Sequence, residues 1–237
     1  VKTFNTKDIA FKPSYILLYG PSGIGKTSMA ATLPQNEVLI LDAESGIASL
    51  RGTSIDSIPL ARTETGEMIP EEARLERLKE FMAFVQRPEV KAKYKFIYID
   101  SLTEIAQNVL KRMQQEHDGF KAWGEYTAMM QAFLKFFRDL GHYTVIVTAL
   151  EGHIDGDDGL PKAFPDIGGK KIKEYLMPAF DECYRMIVDA EKNRKLVTKT
   201  TARTQAKTRS KALAELEEPN LFAILGKIRE EAKQLAL

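Results

Sequence analysis

Cysteine is almost missing from this 237-residue chain. Cys183 stands alone, so no internal disulfide can form, and it has no metal-ligand company. Long apolar runs are missing too. None approaches the roughly 18 residues of a membrane span, and the N-terminus carries no secretory pattern. A cytoplasmic protein without membrane contact is the expectation. Nor is there an excess of either charge: 34 Lys and Arg against 33 Asp and Glu leave a net charge of +1. Bulk attraction therefore selects no partner, and any nucleic-acid contact must come from a local patch. Internal repeats and low-complexity tails are also lacking. What remains is 44% apolar and 28% charged, a composition that buries an ordinary globular core.

Four short runs rich in β-branched residues punctuate the first two thirds: "YILLYG" (Tyr15–Gly20), "EVLILDAE" (Glu37–Glu44), "KFIYIDS" (Lys95–Ser101) and "YTVIVTAL" (Tyr143–Leu150). Nearly continuous apolar character over so few residues suits strands buried on both faces of a parallel sheet. Helical spacing fills the gaps at Thr27–Leu33, Pro70–Gln86, Leu102–His117 and Glu125–Leu140, the last closed by Gly141. This alternation predicts an α/β fold, mainly a parallel sheet flanked by helices. "DECYRMIVDA" and "RKLVTKTTA" flank the turn-prone "EKN" and predict a C-terminal β-hairpin added to the sheet. Arg51–Ile69 reads as an irregular loop in which "SIDSIPL" is a possible strand. Glu151–Lys171, with five glycines and two prolines, reads as a loop of the kind that is functional or disordered. The whole of 1–237 is expected to be one domain, with a core over about 13–211 and a helical extension over 212–237.

"GPSGIGKT", Gly20–Thr27, fits G-x-x-x-x-G-K-[ST] between a strand and a helical segment. Glycines let backbone N–H groups curl around β- and γ-phosphates, where a side chain would block the approach. The expected nucleotide cradle is Gly20, Pro21, Ser22, Gly23, Ile24, Gly25, Lys26, Thr27 and Ser28, holding ATP. Lys26 neutralises phosphate charge, the Thr27 hydroxyl ligates Mg²⁺, and the following helix adds its N-terminal dipole. A second Mg²⁺ carboxylate belongs at the end of a neighbouring strand, which points to Asp100; it also stands where it can cap the next helix. Hydrolysis needs a group that directs water. "LDAES" offers Asp42 and Glu44, and Glu44, beyond the apolar run, is the better base.

Together "GPSGIGKT", "LILDAE" and "FIYIDS" resemble the RecA/RadA recombinase core. That resemblance implies a RecA-like P-loop ATPase with Glu44 as catalytic base and Asp100 as the metal-linked acid. "VLILDAESGIASLRG", "YIDSLTEI" and "WGEY" look most like short RecA-like ATPases of phage recombination modules, annealing proteins of the Sak type. The similarity spans about Tyr15 to Lys211. It implies single-stranded DNA as partner, self-association into a ring or filament, a possible single-strand binding protein, and the host cytoplasm if phage-encoded. Where RecA carries a glutamine sensor after the fourth strand, this chain offers Thr148, Glu151 and His153, with Glu151 or His153 preferred.

Lys192–Lys211 holds eight basic residues in twenty and no acid. It reads as a solvated hairpin edge, as a phosphate contact, or as a source of fingers reaching a neighbour's γ-phosphate. "AKTRS" resembles the lysine-x-arginine element of RadA-like proteins, which makes Lys207 and Arg209 candidate fingers. For nucleic acid, two loops compete; the first, "HDGFKAWGEY" (His117–Tyr126), joins Lys121 to Phe120, Trp123 and Tyr126, either a base-stacking platform or core aromatics. The Glu151–Lys171 loop competes with it by position. Two other classes stay open. One is a nucleotide or small-molecule kinase, although no arginine-bearing lid stands between Arg51 and Gln86. The other is a nucleotide-dependent regulatory or loading module without DNA contact.

Overall fold

In the computed structural model, which describes residues 14–63 and 65–235, the apolar runs become β1 (Tyr15–Gly20), β2 (Val38–Asp42), β4 (Phe96–Asp100) and β5 (Thr144–Asp155). The possible strand in the irregular stretch is β3 (Asp56–Pro59), and the added hairpin is β7 (Glu182–Val188) with β8 (Arg194–Val197). Strand order is β3-β2-β4-β5-β1-β7-β8-β9, where β9 is Leu216–Glu217. From β3 to β7 every pairing is parallel; β7–β8 and β8–β9 are antiparallel. All parallel strands therefore end at one edge, and that edge carries the candidate chemistry.

Side chains alternate across the sheet and build two cores. Tyr15, Leu17 and Tyr19 of β1 face one core with Leu39, Leu41, Ile97 and Ile99. Ile16 and Leu18 face the other with Ile40, Tyr98 and Ile146. The first core is roofed by α1 (Glu71–Phe84), α3 (Leu102–Glu116), α4 (Gly119–Asp139) and α5 (Lys170–Ala179), while the short α2 (Pro88–Lys93) adds Val90. The second is covered by the turn after the glycine-rich loop and by α6 (Leu221–Leu235), through Met29, Ala30, Leu221, Ile224 and Leu225. The expected helical extension thus contributes to the core. Residues 1–13 and 236–237 of the expected single domain lie outside the described residues. Among those described, no helix is long and apolar enough to cross a membrane.

Three expectations change. Thr27–Thr32 is a 3₁₀ segment rather than an α-helix. Pro34 forces Leu33 into extended backbone (ψ 164°), so the segment ends after six residues. Its dipole is correspondingly small, and its first-turn N–H groups carry most of any anion affinity. His117–Tyr126 is not a loop, because α4 starts at Gly119. Ala122, Tyr126, Met130 and Phe133 fall on one buried face, and that burial outweighs the roughly 1 kcal/mol each of Gly119 and Gly124 costs a helix. Glu151–Lys171 is not an open loop either. β5 runs on to Asp155 and pairs antiparallel with β6 (Pro161–Pro165) across a turn closed by Gly156 and Gly159.

Candidate nucleotide site

The glycine-rich loop leaves the end of β1 and turns under β7. A β-carbon on Gly20 would lie 2.7 Å from the Met186 carbonyl oxygen, so only glycine permits this approach. Gly25 has φ +105°, a conformation L side chains rarely adopt. Pro21, Ser22 and Gly23 form an exposed rim, Ile24 anchors the loop in the core, and Ser28 is the second residue of the 3₁₀ segment. A cleft of about 570 Å³ separates Pro21–Ile24 from Arg185–Val188.

Lys26 is buried, and its ammonium donates to the Gly20 and Pro21 carbonyls, both at 2.9 Å. Burial holds its pKa below the usual 10.5, while Glu44, then Asp100 and Glu151, pull it back up. The Tyr98 hydroxyl donates to the Lys26 carbonyl at 2.5 Å and pins the loop to β4.

β2 and β4 are neighbours in register, Asp42 beside Asp100, so their tips deliver both expected carboxylates together. Thr27 Oγ1 donates to Asp100 Oδ2 at 2.6 Å, and Thr148 Oγ1, from β5, donates to Asp100 Oδ1. Asp100 and Thr148 are both fully buried. The backbone N–H of Ala43 and of Glu44 donate to the Asp100 carbonyl, at 2.6 and 3.2 Å. Glu44 itself is exposed beyond β2 and accepts a hydrogen bond from Ser101 Oγ. Ser101 also caps α3, accepting from the Glu104 N–H. Asp42 does something else: it is buried and accepts from the Gly46 N–H at 3.1 Å, holding the turn at Ser45 (φ +59°) that carries the chain past Glu44. Burial raises the Asp42 pKa above its usual value, and the Gly46 hydrogen bond partly offsets this.

A family model described as an AAA domain matches residues 12–210. The chain belongs to the AAA-domain family. This is an ATPase domain of the P-loop type, and such domains use ATP with Mg²⁺. No curated protein matches the sequence. Among solved structures, the AAA domain is similar to a prototypical ATPase from the type III secretion system of pathogenic bacteria, at 14% identity and TM-score 0.46 over 74% of this chain and 52% of that one. It is also similar to the assembled ATPase EscN from the enteropathogenic E. coli type III secretion system, at 15% identity and TM-score 0.49 over 73% of this chain and 43% of that one. The chain spans about half the length of these structures.

The AAA domain's donor set suits Mg²⁺ that arrives with a triphosphate, since such an ion needs only one or two protein oxygens beside phosphates and water. Thr27 and Asp100 would supply them. Gly46 leaves room there, because its missing β-carbon would sit 3.7 Å from Thr27 Oγ1 and 3.8 Å from Asp100 Oδ2.

The preferred sensor residues behave differently from expectation. Glu151 is locked in a two-pronged pair with Arg185, at 2.8 Å on each prong, and Arg185 also reaches Thr204. His153 is exposed on the β5–β6 hairpin opposite Ala163. Thr148 alone of the three touches the carboxylate of Asp100. Its signal was a polar side chain inside a continuous apolar strand, which must find a partner. Thr103 was missed altogether: its hydroxyl accepts from the Leu150 N–H at 2.9 Å and donates to the Asp166 carbonyl at 2.9 Å.

Three of the eight basic residues in the run pair with distant acids. Lys195 pairs with Glu218, Arg203 with Asp158 and Arg209 with Asp181. Lys207, one of the two candidate fingers, is engaged within its own chain. Its ammonium donates to the carbonyls of Met177 (3.1 Å) and Phe180 (2.5 Å), at the end of α5, where exposed carbonyls favour a cation. Arg209 keeps a side chain 62% exposed. Both lie toward the starting edge of β7, away from the chain's own phosphate loop, since Lys207 pairs with Cys183 and Asp181 bonds Tyr15.

Tyr126 is core: fully buried, it donates to the Gly168 carbonyl at 3.0 Å. Phe120, 97% exposed, and Trp123, 39% exposed, lie three residues apart on the same side of α4, and Lys121 is exposed between them.

Proposed function

We propose that this AAA domain is a self-associating, RecA-like ATPase that binds single-stranded DNA and acts in phage-type recombination or strand annealing. The observation carrying this reading is the surface around Phe120 and Trp123. Two large aromatics stand in solvent at helical i, i+3 spacing, and an exposed aromatic pair of this kind is what successive unpaired bases stack upon. Lys121 accompanies them, and Trp123 packs on Gly169, the residue before the exposed Lys170 and Lys171. Phosphates running past stacked bases need such cations.

The surface is wired to the nucleotide site. Thr103 stands two residues beyond Ser101, the residue that holds Glu44, and its hydroxyl grips the Asp166 carbonyl. Asp166 begins the short segment ending at Gly168–Gly169, on which Trp123 and Tyr126 pack. A shift of the β4 tip on nucleotide binding is therefore passed to the aromatic face. In hydrolysis, Glu44 accepts the proton of the attacking water and Lys26 leaves its loop carbonyls to hold phosphate charge. Arg209, rather than Lys207, is the cation available to a neighbouring subunit.

The test is the ATPase rate with and without single-stranded DNA, across protein concentrations and at two salt concentrations. The reading expects a rate per protein that rises with concentration and with DNA, and DNA stimulation that weakens steeply with salt. A rate indifferent to DNA at low salt would instead indicate a loading or regulatory ATPase. Phosphate transfer to a nucleoside monophosphate would indicate a kinase.

A further inference from the structure

Four arginines lie between residues 185 and 209, and three of them are paired with a carboxylate. Arg185 holds Glu151, Arg203 holds Asp158 and Arg209 holds Asp181. Arg194 is the exception: among the described residues its side chain makes no hydrogen bond or ion pair, and it is exposed. It rests instead against the phosphate loop. A β-carbon on Gly25 would lie 2.8 Å from Arg194 Nη1 and 3.2 Å from its Cζ, so the guanidinium lies directly over the backbone of Gly25.

The hairpin holds it there. Asp189 accepts from the N–H groups of Glu191 (3.0 Å) and Asn193 (2.8 Å), and its own N–H donates to the Asn193 carbonyl at 2.9 Å. Lys192 takes φ +66° to complete the turn. Arg194 follows as the first residue of β8, paired with Val188. Two residues on, Leu196 sits in the same core cluster as Ile24 of the loop, so strand alternation puts Arg194 on the loop's side of the sheet. An unpaired, permanently charged guanidinium set against a backbone shaped for polyphosphate lacks only its anion.

We infer that Arg194 is a nucleotide-contacting residue supplied by the same chain, which moves from Gly25 onto the phosphates of bound ATP. The inference rests on nucleotide binding at the phosphate loop, and adds to it a role for the hairpin. Guanidinium suits this because it offers several donors in one plane and stays charged at any working pH. Lys26 remains the buried cation from within the loop, and Arg194 becomes the exposed one from outside it.

The experiment compares wild type, Arg194→Ala and Arg194→Lys by calorimetric titration with ATP and with inorganic tripolyphosphate, alongside melting without ligand. A charge-assisted contact predicts that Arg194→Ala weakens both ligands by about ten- to hundredfold. Arg194→Lys should recover part of the loss, and all three proteins should melt alike without ligand because the side chain has no partner to lose. Equal affinity of wild type and Arg194→Ala for both ligands overturns the inference while leaving the phosphate-loop reading intact. Loss for ATP with none for tripolyphosphate also overturns it, in favour of stacking on the base. Failure of wild type to bind either ligand would remove the phosphate-loop reading itself.

Discussion

Replacing Thr148 by valine exchanges one hydroxyl for a methyl of nearly equal volume, so no cavity opens. What disappears is the donor to Asp100 Oδ1, leaving that buried carboxylate with Thr27 on its other oxygen. A hydrogen bond to a charged group contributes about 1.5–3 kcal/mol. In a domain of this size each kcal/mol corresponds to about 2–4 °C, so the nucleotide-free protein should melt roughly 3–12 °C lower. With Mg²⁺ and ATP the deficit should shrink, because Asp100 then faces a cation. The carboxylate, no longer held from behind, should also need several-fold more Mg²⁺ for half-maximal turnover. Scanning calorimetry with and without Mg·ATP, together with an Mg²⁺ titration of the ATPase rate, measures both effects. A melting change of about 1 °C or less, with an unaltered Mg²⁺ dependence, would refute Thr148 as the group that orients Asp100.

Three further outcomes are expected. Glu44→Gln should bind ATP as wild type does yet turn it over about 10²–10⁴-fold more slowly in a single-turnover assay, the usual worth of a general base; normal turnover removes Glu44 from the chemistry. Trp123 is the single tryptophan, so its fluorescence should be quenched as single-stranded DNA binds, and Phe120→Ala should weaken that binding by about 1–3 kcal/mol per lost stack without lowering the melting temperature. Unchanged fluorescence at saturating DNA would move the nucleic-acid surface elsewhere. Lys26, with a pKa below 10.5, should lose its charge as pH rises through that lowered value. Between the two values the unfolded chain binds more protons than the folded one, so nucleotide-free stability should increase with pH there while ATP affinity declines. Calorimetric titration in two buffers should detect proton uptake on ATP binding in the same window.

Legibility in the sequence followed how local each signal was. The turn from Gly20 to Thr27 could be placed directly because glycine spacing fixes its backbone, and Asp42 and Asp100 could be placed at strand tips because an aspartate ending a buried strand has few places to go. The β5–β6 hairpin hid behind its own composition. "DGDDG" reads as loop, and the prolines bounding "PKAFP" argue against a strand, yet β6 lies off the main strand order, paired with β5 and bridged at Ala163 to Thr204, and tolerates proline at its ends. α5 hid likewise, with two lysines at its start and Pro178 in its last turn. Partnership was the least legible level. Nothing near Lys207 in the sequence announces the carbonyls of Met177 and Phe180, and nothing near Glu151 announces Arg185.

Those hidden partnerships decide how the parts of the site communicate. Thr27 of the phosphate loop and Thr148 of β5 meet through Asp100, while Glu44, two residues beyond β2, joins the same strand tip through Ser101. From there Thr103 reaches both Leu150, in β5, and Asp166, just after β6. Four strands and the start of α3 thus converge on residues 100–103, so a phosphate drawing on Thr27 perturbs all of them together. Tyr19, one residue before the loop, closes a second circuit by donating to the carbonyls of Ala163 (3.1 Å) and Gln205 (2.6 Å). Since Ala163 also pairs with the backbone beside Arg203, the β5–β6 hairpin is tied through Asp166 to Thr103 at the start of α3 and through Ala163 to the basic run. An element tied both to the start of α3 and to the basic run has little freedom to stay still when the residues beside the phosphate loop move. That makes the hairpin, more than the exposed basic residues themselves, the part through which ATP would alter what the domain grips.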